Sequence, residues 1–224
     1  MPSSKYKIKS PADGSVLGEV GYFEEKDISI IVEKARKAFN SWRFTSPHER
    51  AKILKDASTR IISRKKELET LHSKESGKIF IQSQKEILGA ANLLEDNSNL
   101  GKYDSGKIAP TGALPNGERD LTIVERVPLG VVVCVIPFNF PIELTFEKAA
   151  AAIVAGNVVI LKPPPQNPLA TIMAANIFID SGLPKDVLQV VPGTNKFSFE
   201  LCSHPQIDAV SLTGSPKAGI SLAE

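Results

Sequence analysis

Cysteine is scarce in this chain. Two residues in 224, Cys134 and Cys202, are too few for a secreted disulfide framework or a cysteine-ligated zinc site. Charge of one sign is missing as well. The 27 Lys and Arg and 25 Asp and Glu leave a formal net charge of +2, spread without a dense basic block, which argues against nucleic acid as a partner. Long hydrophobic runs are absent too: stretches such as LGVVVCVIPF stop at proline well short of a membrane span, and MPSSKYKIKS at the start has no apolar signal core. The expectation is a soluble cytoplasmic protein with reduced thiols and no membrane partner. What the chain does have is 42% hydrophobic residues, enough to bury a core in one large domain or two small ones, with no internal repeat or low-complexity tract.

The pattern changes near Pro128. Upstream it is mainly helical. Asp27 stands where it could cap ISIIVEKARKAF, and Ser46-Pro47-His48-Glu49 supplies an N-cap, an N1 proline and a capping-box glutamate. Between residues 101 and 127 the composition shifts. Pro115-Asn116-Gly117 separates two short segments and LTIVERV alternates as a half-exposed strand does, which predicts a projecting β-hairpin. From residue 128 to 224 the rhythm is strand, turn, helix, four times over, and the strands are continuously apolar. That predicts an α/β fold with a parallel sheet covered by helices on both faces.

Ligands of such sheets bind at the carboxyl ends of the strands, where the unusual residues of this chain fall. Lys162 ends an apolar strand and enters Pro163-Pro164-Pro165, a triplet that stiffens the backbone and removes three donors. It reads either as a cation for a nucleotide's hydroxyls or phosphate, or as a solvated strand-end lysine. Thr213-Gly214-Ser215-Pro216 places a hydroxyl at a helix N-cap and proline at N1, a geometry that accepts an anion or simply caps. Asn167-Pro168 repeats that device where no ligand is needed. Asn139, just before Phe140-Pro141, reads either as an oxyanion donor or as an Asx turn.

In order and spacing, PFNFP (137–141), KPPP (162–165) and LTGS (212–215) resemble the Pro-Trp-Asn-[Phe/Tyr]-Pro, Lys-Pro-[Ser/Ala]-Glu and Phe-Thr-Gly-Ser motifs of the aldehyde dehydrogenase superfamily. The resemblance covers essentially the whole chain, including KESGK (74–78), and implies a Rossmann-like fold. It implies that Asn139 is the oxyanion donor, that Lys162 contacts the adenosine ribose, and that Gly214 and Ser215 lie near the pyrophosphate. Cofactor contacts would extend to Ile136, Pro137, Phe138, Pro164, Pro165, Gly193 and Thr213. The implied reaction oxidises a small aldehyde to an acid through a cysteine thiohemiacetal, with hydride passing to NAD or NADP. By the same resemblance residues 1–100 are the helical part of the cofactor-binding domain, 101–127 the oligomerisation hairpin and 128–224 the dinucleotide-binding part. The hairpin implies a homo-oligomer, with Leu121, Ile123 and Val127 as its apolar contacts.

The departures carry expectations of their own. Pro165 stands where many NAD-preferring members have glutamate, so the carboxylate that would repel a 2′-phosphate is missing and NADP is admitted. Lys-Pro-Pro-x-Gln is similar to the non-phosphorylating glyceraldehyde-3-phosphate dehydrogenase branch, yet Ile81–Gly101 holds no arginine for a substrate phosphate. The loop after Gly193 lacks the family's usual glycines. The family's nucleophilic cysteine and general-base glutamate lie beyond the Thr-Gly-Ser helix, so the chain is expected to be a truncated, inactive N-terminal part. Cys134 reads as a buried inert thiol, Cys202 and His204 as helix residues pointing apart, and His48 and His72 as members of an exposed helical leader. Other readings are a stand-alone nucleotide-binding module, a structural fragment without activity, or part of an acyl-CoA or acyl-phosphate reductase of the same fold.

Overall fold

In a computed structural model, which describes residues 4–103, 106–109 and 121–223, the chain opens with strands. β1 (Ser4–Lys9) and β2 (Val16–Tyr22) form an antiparallel hairpin within the stretch 1–100 expected to be helical. Few of its side chains are buried. Ile8, Val20 and Tyr22 pack inward against Leu169 and Ile172, which leaves little alternation to read.

Four helices follow: α1 (Ile28–Trp42), α2 (Pro47–Ser63), α3 (Lys65–Ser76) and α4 (Phe80–Tyr103). The start of α2 matches its sequence signature. Ser46 Oγ accepts the Glu49 N–H and the Glu49 carboxylate accepts the Ser46 N–H, both at 3.2 Å. The start of α1 does not. The Asp27 carboxylate takes the Glu24 N–H at 2.9 Å, closing a short 3-10 turn over Glu25–Asp27, and so does not cap α1. Gly77 ends α3 in the left-handed region at φ 72°, a conformation a side chain would disfavour.

The expected hairpin is present as β3 (Lys107–Ala109) paired antiparallel with β4 (Thr122–Val124), shorter than LTIVERV implies and exposed along β4. Its expected Pro115-Asn116-Gly117 turn lies outside the described residues.

The four strand–helix units form as expected: β5 (Val131–Val135), α5 (Pro141–Val154), β6 (Val158–Lys162), α6 (Pro168–Ile179), β7 (Leu188–Val190), α7 (Asn195–Cys202), β8 (Ala209–Leu212) and α8 (Pro216–Ala223). The strands make one parallel sheet in the order β7-β6-β5-β8. All five residues of β6 and four of the five in β5 are buried, so helices cover both faces of the sheet centre. One core runs through both parts of the chain, joining Trp42, Leu54 and Ile87 with Val133, Phe146, Ile160 and Phe178. Asp208, at the entry to β8, accepts the Val131 N–H at 2.6 Å and pairs with Arg36 of α1 at 2.8 Å, tying leader to sheet.

Candidate functional site

The strand order reverses beside β5: the chain runs from β5 to β6 to β7 on one side, then returns to place β8 on the other. That reversal opens the crevice where doubly wound sheets bind ligands. Register aligns its contents. Val135 pairs with Lys162 on one side and with Leu212 on the other, Ile136 N–H donates to the Lys162 carbonyl at 3.1 Å, and Val191 N–H donates to Leu161 at 2.8 Å. The four expected segments, around Asn139, Lys162, Gly193 and Ser215, therefore leave one edge of one sheet.

Lys162 is 2% exposed. No carboxylate or hydrogen-bond acceptor partners its ammonium among the described residues, and burial pulls its pKa down to about 8. A solvated strand-end lysine is thereby excluded. An unpaired buried cation is costly, so this one fits a group that brings oxygens to it. The proline triplet that follows is fixed from the leader: Tyr22 Oη donates to the Pro165 carbonyl at 2.9 Å, and Phe23 N–H to the Pro192 carbonyl at 2.8 Å. The β1–β2 hairpin thus steadies two loops of the site.

Asn139 lies exposed in the loop between β5 and α5. Its side chain has no hydrogen bond among the described residues, so the Asx turn does not form and the amide is free to donate outward. The loop itself is held on both sides of Asn139. Asn167 does not cap α6; its Nδ2 donates instead to the Phe138 carbonyl at 3.0 Å, leaving Oδ1 buried without a partner. On the other side Lys78 Nζ stands 3.8 Å from the centroid of the Phe140 ring.

Ser215 accepts the Ala218 N–H at 3.2 Å and caps α8 as its sequence implies, with Gly214 exposed beside it. Gly193 is different: it is buried under Phe197, and a Cβ added there would collide with that ring. Neither thiol is activated. Burial pushes Cys134 up to about 12 and Cys202 up to about 11. Helix α7 ends at Cys202, so His204 falls beyond it, and its Nδ1 accepts the Gln206 N–H at 3.2 Å. No cluster of three or more metal-ligating side chains occurs among the described residues.

The largest correction concerns His72, which is fully buried and not on an exposed face. Its Nε2 lies 2.8 Å from Glu86 Oε2, and Lys78 Nζ reaches the same oxygen at 2.5 Å. The other oxygen, Oε1, accepts the N–H of Ile142 at 2.9 Å and of Glu143 at 3.5 Å, capping α5. Glu75 does the same for α6, accepting the N–H of Leu169 at 2.6 Å and of Ala170 at 2.9 Å. A signal for these partners exists in the sequence. Helix α5 starts with Pro141 preceded by Phe140, which has no capping oxygen, so its amides must be satisfied from elsewhere.

A sequence model described as the aldehyde dehydrogenase family matches residues 1–224. The chain belongs to this family. Among aldehyde dehydrogenases it is 29% identical over 221 residues to the NADP-dependent glyceraldehyde-3-phosphate dehydrogenase of Streptococcus equinus, covering 98% of this chain and 46% of that protein. It is 32% identical over 222 residues to the 4-trimethylaminobutyraldehyde dehydrogenase of Pongo abelii, covering 99% of this chain and 44% of that protein. The chain thus spans less than half the length of these relatives. The crystal structure of NADP-dependent glyceraldehyde-3-phosphate dehydrogenase from Bacillus halodurans C-125 complexed with NADP is similar with a TM-score of 0.95, at 28% identity, over 98% of this chain and 47% of that one. An NAD-dependent benzaldehyde dehydrogenase from Corynebacterium glutamicum is similar with a TM-score of 0.91, at 28% identity, over 98% of this chain and 48% of that one. No helix among the described residues is long and apolar enough to cross a membrane.

Proposed function

We propose that this chain is the nicotinamide-dinucleotide-binding part of an aldehyde dehydrogenase that oxidises a small aldehyde to an acid through a cysteine thiohemiacetal, and that it accepts NADP as well as NAD. The observation that supports this most is Lys162, a buried ammonium without a partner at the crevice of a doubly wound sheet. A bound dinucleotide supplies the hydride acceptor. Lys162 would hold its adenosine ribose, and Pro165, which carries no charge, would leave room for a 2′-phosphate. Ile136, Pro137, Phe138, Pro164, Thr213, Gly214 and Ser215 would border it, with the pyrophosphate at the start of α8. Gly193 would contribute by letting Phe197 pack close. The Asn139 amide, outward and unbonded, would donate to the oxygen that gains charge when a nucleophile adds to the aldehyde carbon. With Cys134 and Cys202 both held protonated, neither thiol would serve as that nucleophile, so these 224 residues alone would not turn over.

Titration calorimetry of the chain with NADP and with NAD tests the cofactor reading. Both should bind, and Lys162→Ala should weaken NADP on the order of tenfold, about 1.4 kcal/mol. NADP binding should also fall as pH rises past about 8, where Lys162 loses its proton. Binding of NAD alone, or NADP binding untouched by Lys162→Ala, would sink it. Reduction of either cofactor by an aldehyde, lost on mutating Cys134 or Cys202, would overturn the assignment of the thiols.

A further inference from the structure

We propose that Lys78, Glu86 and His72 are positioning residues that set the direction of the Asn139 amide. This rests on the reading of Asn139 as the oxyanion donor.

Asn139 makes no hydrogen bond of its own, so its direction is decided by what holds its two neighbours. The Phe138 carbonyl is held by Asn167, whose helix start is in turn fixed by Glu75. Phe140 is held through its ring by the Lys78 ammonium, 3.8 Å from the centroid. That ammonium is not left to wander: its other contact is Glu86 Oε2, at 2.5 Å. Glu86 is fully buried, and its second oxygen grips the Ile142 N–H two residues past Phe140. One carboxylate therefore fixes both the ring beside Asn139 and the first turn of the helix after it. His72 completes the arrangement. A carboxylate oxygen only accepts, so His72 Nε2 donates to Oε2 and keeps Glu86 from turning in its site. Burial alone would raise the Glu86 carboxyl, but the hydrogen bonds from His72, Lys78 and the Ile142 N–H outweigh it and hold the group ionised.

This goes beyond packing. A helix cap needs only an acceptor at Oε1; the charged half of the contact, Oε2 to Lys78 to the face of Phe140, adds nothing to that cap and acts on the loop. Removing the charge while keeping the acceptor separates the two. Glu86→Gln retains an oxygen for Ile142 N–H and loses the ion pair. Lys78→Met keeps the length of the stem and loses the cation over the ring. Lys78→Arg restores a cation that can lie on an aromatic face.

The test is the Asn139 side-chain amide pair, followed by nitrogen–proton NMR in the asparagine-labelled chain without cofactor or substrate, so that it stands apart from the dinucleotide titration. Lys78→Met and Glu86→Gln should each shift or broaden that pair, Lys78→Arg should return it to its original position, and Ser46→Ala, which weakens only the distant cap of α2, should leave it in place. An unmoved pair in Lys78→Met overturns the proposal. So does a shift that Lys78→Arg shares fully, or one that Ser46→Ala reproduces, because either would report general loosening. If Glu86→Gln does not fold, the two Lys78 variants decide the matter alone.

Discussion

Helices α5 and α6 on one hand, and α7 and α8 on the other, solve the same problem in opposite ways. Each follows a strand of the same sheet and each must satisfy the free amides of its first turn. The later pair is capped from within: Thr194 Oγ1 accepts the Phe197 N–H at 3.2 Å and Ser215 the Ala218 N–H at 3.2 Å. The earlier pair has Pro at N1 and no capping side chain of its own, and depends on buried glutamates reaching in from α3 and α4. The difference separates two kinds of βα unit. The last two close themselves, whereas the first two, which carry Asn139 and Lys162, are completed by another part of the chain. Placement and stability of the proposed site are then one problem, set by residues far from it in sequence.

Glu86→Ala or Glu75→Ala should show the largest effect. Each strips a buried helix start of its acceptor, and Glu86→Ala also strands Lys78 and His72, so a loss of about 3 kcal/mol is expected in denaturant melts. Thr194→Ala should cost about 1 kcal/mol, as for an ordinary exposed cap. Equal losses at the two kinds of helix would erase the distinction.

Acid should then split the two glutamates. Glu86 is held below its ordinary value of 4.5, so its contribution is present above that value and is lost as pH falls through the lower folded value. Glu75 is raised by burial, which outweighs the Ala170 and Leu169 amides and His72. Its ionisation costs stability, and that cost is relieved as pH falls through the raised value towards 4.5. On acidification the penalty of Glu86→Gln should shrink and that of Glu75→Gln should grow; parallel curves would show that the two carboxylates share one environment.

The smallest effect on stability should come from the arm. Ile123 is 67% exposed, so Ile123→Lys should leave the melting curve unchanged. If the arm joins copies of the chain, as its exposed Leu121, Ile123 and Val127 would allow, the same change should lower the mass seen by light scattering at high concentration. A monomer before and after would remove that role.

The strand–helix rhythm after Pro128 was legible because β5, and β6 up to Lys162, are apolar and each helix opens at a proline or a capping residue. The capping box of α2 was legible for the same local reason. What escaped were contacts closed over long separations. Glu86 lies 56 residues before the amide it caps and Glu75 94 residues before its own, and on an amphipathic helix a glutamate or histidine looks like any solvated side chain. His72 could be recognised as buried only once Glu86 stood opposite. At Lys162 the local pattern left both alternatives open, and burial removed only the solvated one.

Caps borrowed from far upstream also impose an order of events on synthesis. Helices α3 and α4 leave the ribosome before α5 and α6 exist, so Glu75 and Glu86 first stand in water as plain carboxylates, and α5 and α6 emerge with open amides. Closure waits for the chain to return over those separations, and the loop bearing Asn139 takes its shape only at that late step. Pulse-labelled hydrogen exchange during refolding should find the Ile142 and Leu169 amides protected after those of α2, whose cap lies three residues from its partner.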